Sequence, residues 1–338
     1  MSESLKASRV TRAAPVHAAV VFKPGSAHLA AYRRLLRAAE KSEGLAHAPW
    51  FETSGEDDGA AAISQALAVR PRVIIVVGGD GTVRRVAEAI AETSTHLAVL
   101  PAGTGNLFAR NMGIPLSDHK RAVSIALAGK PRRIDVAEAD LWNADSHRHA
   151  RFLVMAGIGF DADMAAHADP KTKRRFGWLA YVRPVVRSVW KNNQQEMRLS
   201  IDGVRNRTIR AHTAIVGNCG LSTGNVSLFP SARFDDGLLD FVVMNPRTFG
   251  GWTRIWSHIM VMSVLSQTPG VDALVASMPQ LKSARYAQGG TLDVHLPHPQ
   301  NVQLDGDYFG KVTAMRFAVI PGALRVRVSP RRAASTLA

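Results

Sequence analysis

Two short glycine-rich turns, VGGDGT at 77–82 and LPAGTGN at 100–106, carry residue types that handle phosphate. Each ends an apolar run, and the first leads straight into a helical pattern. Glycines at the carboxyl end of a strand let backbone N–H groups approach an anion closely, and a helix behind them adds partial positive charge. The P-loop pattern G-x-x-x-x-G-K-[ST] is absent. The dinucleotide fingerprint fails as well, because its third glycine is Arg84 after the first pair and Phe108 after the second. Taken singly, either turn is explained as a tight bend, with Thr82 capping a helix. Taken together, they read as two halves of a polyphosphate cradle. Asp80, set among Gly78, Gly79 and Gly81, would repel a phosphate unless a cation stood between them, which points to Mg²⁺.

Other acids are ambiguous on their residues alone. Asp305-Gly306 and Asp236-Gly237 both fit two-residue hairpin turns. Asp161 and Asp163, just after Gly159, could bond a substrate hydroxyl or simply start a helix. GLSTG at 220–224 fits the hydrolase pattern G-x-S-x-G with Ser222 as nucleophile. That motif needs a helix after the turn, whereas NVSLFPSARF follows, with Pro230 and no helical period, so the hydrolase reading is disfavoured.

The elements that would position these residues fall into two textures. In the first part, the strands VHAAVVF, RVIIVV and HLAVL alternate with helical stretches: AHLAAYRRLLRAAEKSEG, stopping at Gly44, then AAAISQALAV and VRRVAEAIAET. Such alternation predicts βαβ units and a Rossmann-like parallel sheet. After about residue 130 the chain turns to short strand-like runs: RRIDVAEADLW, RFLVMAGIGF, MRLSID, RTIRAHTAIVGN, LLDFVVM, TLDVHL, NVQLDG and TAMRFAVI. Helical stretches interrupt them only near 175–192 and 248–265. This predicts a mostly antiparallel β-sandwich, with the site in the cleft between an α/β and a β domain. The expected division is an α/β nucleotide-binding domain over 14–132, completed by 322–338, and a β-rich domain over 133–321, which the family resemblance given below implies is the lipid-substrate domain.

Composition sets the outer limits. The 338 residues are 46% hydrophobic and 20% charged, ordinary for a globular chain. One cysteine, Cys219, leaves no internal disulfide and fits a reducing compartment. His147 and His149, in the polar stretch NADSHRHAR, read as loop residues rather than metal ligands, as do His295 and His298 beside a proline. The first residues do not read as a signal peptide, and no run approaches the length of a membrane span. The expectation is a cytoplasmic protein, peripheral to the inner face of a membrane. The net charge of +15 suits anionic partners, but nucleic-acid signatures are missing, so no specific nucleic acid is expected. The stretch WLAYVRPVVRSVWK sets Arg183, Arg187 and Lys191 opposite Trp178, Val182, Val185 and Val189. That amphipathic basic face suits a membrane surface, although a core-packed helix is the simpler account. An exposed strand edge in the β domain could support a homodimer.

With these motifs in place, the chain resembles the bacterial diacylglycerol kinase and sphingosine kinase family of lipid kinases, distant relatives of NAD kinase. GGDGTVRRV resembles that family's nucleotide loop and PAGTGNLFARNMGIP its second phosphate loop. RRIDV resembles the start of its second domain, FLVMAGIGFDADM and KRRFGWLAYV its lipid-side segment, and GNVSLFPSARFDDGLLDFVVM and VQLDGDYFG its two acidic turns. The resemblance implies transfer of the ATP γ-phosphoryl group to a lipid hydroxyl with Mg²⁺. It also implies nucleotide contacts from Gly78, Gly79, Asp80, Gly81, Thr82, Gly103, Thr104 and Asn106. Lys23 joins them at the position where the family's opening N-P-x-S-G reads KPGSA, and Arg174 resembles an arginine that reaches phosphate. By the same resemblance Asp305 is the catalytic base and Asp80 manages the cation. Asp236 and Asp307 hold metal, Asp135 supports the site, and Asp161 and Asp163 face the substrate. Two departures stand out: Leu107 replaces an acid of the second loop, and Asp307 replaces a glutamate. Alternatives are a soluble-substrate kinase of the NAD kinase type, or a non-catalytic relative that binds lipid or nucleotide.

Overall fold

The computed structural model describes residues 17–159, 194–221, 227–229, 231–246 and 284–329, with scattered positions between 250 and 261. Asp161, Asp163, Arg174, Ser222 and the basic stretch 178–191 lie outside the described residues.

The first half alternates strand and helix: β1 (Ala18–Phe22), α1 (Leu29–Ser42), β2 (Trp50–Glu52), α2 (Ala60–Ala68), β3 (Val73–Gly78), α3 (Asp80–Ile90), β4 (His96–Pro101), α4 (Leu107–Asn111) and α5 (His119–Ala128). β1, β3 and β4 are buried along their whole length, which is why they read as unbroken apolar runs rather than alternating ones. They pair in parallel, β1 lying between β2 and β3, and β3 between β1 and β4. α1 buries Tyr32 and Leu36 against this sheet and ends at Ser42, with Gly44 in the left-handed region just beyond.

The second half is β-rich: β5 (Lys130–Trp142), β6 (His147–Phe152), β7 (Met155–Gly159), β8 (Gln195–Ile201), β9 (Val204–Ala211), β10 (Thr213–Gly217), β11 (Leu239–Met244), β12 (Ala284–Gly289), β13 (Thr291–Leu304) and β14 (Asp307–Val328). The pairings from β5 through β13 are antiparallel, and their inward side chains form a second core around Phe152, Ile158, Phe241, Val294 and Phe317. β14 joins the two halves. It pairs antiparallel with β13 and β5, shifts register between Ile320 and Leu324, then runs parallel to β4 through Arg325↔His96 and Val326↔Leu97. No helix among the described residues is long and apolar enough to cross a membrane.

The structure corrects several expectations. Thr82 does not cap α3. The helix begins two residues earlier, with Gly79 as its cap and no side-chain capping bond. RFLVMAGIGF is two strands, because the chain bends at Leu153-Val154. His147 and His149 lie on strand β6, where both rings bond Asp140 Oδ1 across the ladder, at 2.8 and 3.1 Å. Four elements were not foreseen: β2 is only three residues long, α4 only five, β12 is half exposed, and α5 is introduced by Asp118, which caps Arg121 N–H.

Candidate active site

The two glycine turns meet backbone to backbone. Ala102 N–H donates to Gly78 O at 3.0 Å. A Cβ on Gly103 would lie 2.5 Å from Gly79 Cα, and a Cβ on Gly79 would lie 3.2 Å from Gly103 Cα. These glycines are demanded by close approach rather than by a left-handed turn. Asn106, itself left-handed at φ 49°, fixes the second turn by accepting from Gly103 N–H and donating to Gly103 O, both at 2.9 Å. Lys23 stands exposed at the carboxyl end of β1, its N–H donating to Val77 O, one residue before Gly78. Thr104 is exposed on the second turn. The N-terminus of α3 therefore opens onto a double turn with backbone donors and a lysine nearby.

Asp80 reaches from the first glycine turn to the second. Its Oδ1 accepts Phe108 N–H at 3.0 Å, and its carboxylate also meets the backbone N–H of Leu107. It thus caps α4, whose first N–H groups have no partner within the helix. Oδ2 packs within 3.2 Å of the point where a Cβ on Gly105 would sit. Burial raises the Asp80 pKa, while these amide bonds oppose the rise. An acid between glycines is therefore a clasp that binds the first turn to the second.

Across from the glycine turns lies the hairpin between β13 and β14. Asp305 and Gly306 are its two central residues, with φ 49° and 86°, so the turn reading holds. The same Asp305 also points inward. Its Oδ2 accepts Leu153 N–H at 2.8 Å, and its Oδ1 accepts the N–H groups of Val154 and Met155 at 2.9 and 3.0 Å. Burial lifts its pKa to about 6, against the pull of those three amides and the charge of Arg84. A carboxylate offers about four acceptor directions. Three are taken, which leaves one on Oδ2.

Asp307 faces the first glycine turn, its Oδ2 3.1 Å from a Cβ placed on Gly81. Its partner is Arg84 of α3, whose Nη2 bonds Asp307 Oδ2 at 2.9 Å. Arg84 is 2% exposed, and its guanidinium also lies 5.0 Å from the Phe309 ring centroid. Sequence reasoning passed over Arg84 except as a failed glycine position. No local signal could have found the pair, because 223 residues separate its members.

Asp135 and Asp236 are held elsewhere. Asp135 is buried and accepts Gly237 N–H and Gly322 N–H, both at 2.7 Å, so it ties the turn before β11 to the bend in β14. Asp236 bonds its own Leu238 N–H at 3.1 Å. It starts a side-chain turn leading into β11 rather than a two-residue hairpin. Among the described residues, no group of three or more His, Cys, Asp or Glu is arranged to hold a metal ion. The donors therefore do not form a protein-built cage at Asp236 or Asp307. Mg²⁺ needs only one or two carboxylates when phosphate oxygens supply the rest. Asp307 Oδ1, clear of the Arg84 contact, fits an ion that arrives with a nucleotide.

Comparison with known proteins agrees with this layout. Residues 17–139 match the diacylglycerol kinase catalytic domain, and residues 154–328 match the YegS C-terminal NAD kinase beta sandwich-like domain. A "Probable lipid kinase YegS-like" from Pseudomonas aeruginosa is 31% identical over 277 residues, 81% of this chain and 82% of the relative. The same-named protein of Pseudomonas syringae is 33% identical over 273 residues, 79% of each. An uncharacterized Synechocystis protein, sll0036, is 27% identical over 257 residues; the match spans only 54% of that longer relative. Two crystal structures of Bacillus anthracis proteins assigned as diacylglycerol kinases superpose with TM-scores of 0.71 and 0.63, at 21% and 19% identity. Each covers 93% of this chain and 97% of the other. Yeast NADH kinase superposes at 0.51 and 11% identity over 95% of this chain and 85% of its own, a likeness of fold.

Proposed function

Because the chain belongs to the YegS-like lipid kinase family, with its diacylglycerol kinase catalytic and NAD kinase-like domains, we propose that it phosphorylates a lipid hydroxyl. The donor in this reading is the γ-phosphoryl group of ATP, and the acceptor is a diacylglycerol- or sphingoid-type lipid. The observation that carries it is the juncture of the two halves. The Asp305–Asp307 turn is ion-paired through Arg84 to the helix that begins at the first glycine turn.

Phosphoryl transfer asks mainly for positioning, charge neutralisation and a proton acceptor. The glycine turns and Lys23 would hold the phosphates. Asp80 positions the cradle by clasping α4, and Asp135 holds the second half's loops in place. Thr82, Thr104 and Asn106 line or shape the cradle. Asp305 Oδ2 would take the lipid hydroxyl proton as that oxygen bonds the γ-phosphorus. The bond from phosphorus to the β-phosphate oxygen then breaks, and ADP leaves. Mg²⁺ held by Asp307 and phosphate oxygens would neutralise phosphate charge when bound.

A basic groove supports an anionic membrane surface as the place of reaction. Arg33, Arg34 and Arg37 of α1 line an open surface groove with Leu29 and Ala30. Asp305→Asn is expected to lower labelled-phosphate transfer by about 10²–10⁴-fold while ATP affinity is kept. The assay is ATP labelling of a lipid panel in mixed micelles, with NAD as the soluble control. Labelling of NAD alone would replace the lipid by a soluble acceptor. Full turnover by Asp305→Asn would remove Asp305 as the base.

A further inference from the structure

Phe309 is an extra residue in β14. The register of the hairpin runs Leu304↔Asp307, Gln303↔Tyr308 and then Val302↔Gly310, so Phe309 falls between pairs without a partner on β13. A bulge of this kind bends its strand and re-aims the side chain of the unpaired residue. Gly310, at φ 98°, adopts a conformation that favours glycine and carries the chain back into register. The Phe309 carbonyl accepts Arg148 Nη1 of β6 at 3.1 Å, which fastens the bulge to the neighbouring strand.

The re-aimed ring meets Arg84. The Arg84 guanidinium lies over the Phe309 ring, 5.0 Å from its centroid, and the Arg148 guanidinium lies over the same ring at 5.0 Å. Arg84 is 2% exposed, so its charge depends on the groups around it. Its two acids hold it loosely. Asp307, bonded at 2.9 Å, has a side chain 46% exposed, and Glu88 stands at 3.7 Å, beyond hydrogen-bond range. Arg84 Nε is closed to solvent and has no hydrogen-bond partner among the described residues. A guanidinium is planar and stacks on aromatic faces, so the ring is the contact that fixes its plane. With that plane fixed, Nη2 is directed at Asp307. Arg84 belongs to the helix that opens from the first glycine turn, and Asp307 follows Asp305 by two residues. The joint grip of Phe309 and Asp307 on one guanidinium therefore sets how the acidic hairpin stands against the first glycine turn.

We propose that Phe309 is a positioning residue of the phosphoryl transfer: its ring holds Arg84 on Asp307 and so fixes the acidic hairpin across from the phosphate cradle. The role rests on the kinase reading for its purpose, and on the bulge and the ring contact for its geometry. Phe309 touches no reacting atom in this role. It acts through orientation, where a misplacement of about 1 Å can cost about 10²-fold in rate.

NMR of the arginine Nε–H groups of the full chain, read beside steady-state kinetics on the lipid panel, tests the role. The shielded Arg84 Nε–H should give a slowly exchanging signal, assigned by its loss in Arg84→Lys. Phe309→Leu keeps apolar bulk but removes the ring. Exchange of the Arg84 signal should then quicken about tenfold, and kcat should fall about tenfold with the KM for ATP kept within about twofold, the size of one cation–π contact. Phe309→Tyr restores the ring and should return both readouts to wild-type values. Should Phe309→Leu not fold, Phe309→Met makes the same removal of the ring. The role is overturned if loss of the ring leaves the Arg84 signal unmoved, or if the signal moves while kcat does not. It is equally overturned if Phe309→Tyr does not restore turnover. A wild-type chain that labels no lipid overturns the kinase reading and the positioning role with it. That outcome is told apart from failure of the ring contact by the Arg84 signal, which is read without turnover.

Discussion

Asp305 is both the apex of a tight turn and a buried carboxylate, and its environment sets its chemistry. With a pKa lifted to about 6, its charged form predominates at neutral pH and is lost as pH falls through that value. In the proposed reaction kcat/KM should accordingly drop tenfold per pH unit below about 6, read from a pH–rate profile. Arg84 pulls that pKa down. Arg84→Gln should therefore move the acidic limb upward in pH while also releasing Asp307; an unmoved limb would show that Arg84 does not act on the base. For stability the sign is reversed. A carboxyl raised from 3.8 stabilises the fold when protonated, below about 3.8, and loses that contribution as pH rises through about 6. Replacing Asp305 by Asn removes a buried charge at neutral pH but puts a donor NH2 where a carboxylate oxygen accepted a backbone N–H. Denaturant unfolding of the variant is therefore measured beside its activity to separate the two losses.

The glycine turns, α3 and α4 act as one unit. Gly79 touches Gly103, and Asp80 reaches from the start of α3 to the start of α4. Gly103→Ala places a Cβ 2.5 Å from Gly79 Cα, and the turns must part to admit it. ATP affinity measured by calorimetry should fall, alongside a destabilisation of about 1–3 kcal/mol in denaturant unfolding. Unchanged ATP binding would remove the cradle. The glycine turns and α3 were legible because buried parallel strands leave β-branched runs and glycines break them sharply; the five residues of α4 were not. β2 and β12 left too little pattern to see. The histidines of β6 looked like loop residues because the strand is polar on the face it shares with Asp140.

At the scale of the molecule, β14 stitches the parallel and antiparallel halves into a single sheet, and the two cores meet along it. The chain carries an excess of 15 positive charges. If anionic membrane is the working surface, vesicles of equimolar phosphatidylglycerol and phosphatidylcholine should bind the protein at about 0.1 M salt. Binding should be lost near 1 M, where screening shortens from about 10 Å to about 3 Å, and pure phosphatidylcholine should not bind. Binding that ignores salt would refute an electrostatic surface. By itself the sequence determined the strand–helix alternation, the β-rich second half, the two glycine turns and the family, because each is written in local pattern or in motifs whose order survives. Only the tertiary structure decided that Asp80 is a clasp, that Asp305 is both turn and buried acid, and that Arg84 meets Asp307. Those facts depend on which backbone amides and distant side chains surround a carboxylate or a guanidinium, and residues up to 223 positions apart become neighbours only when the sheet is assembled.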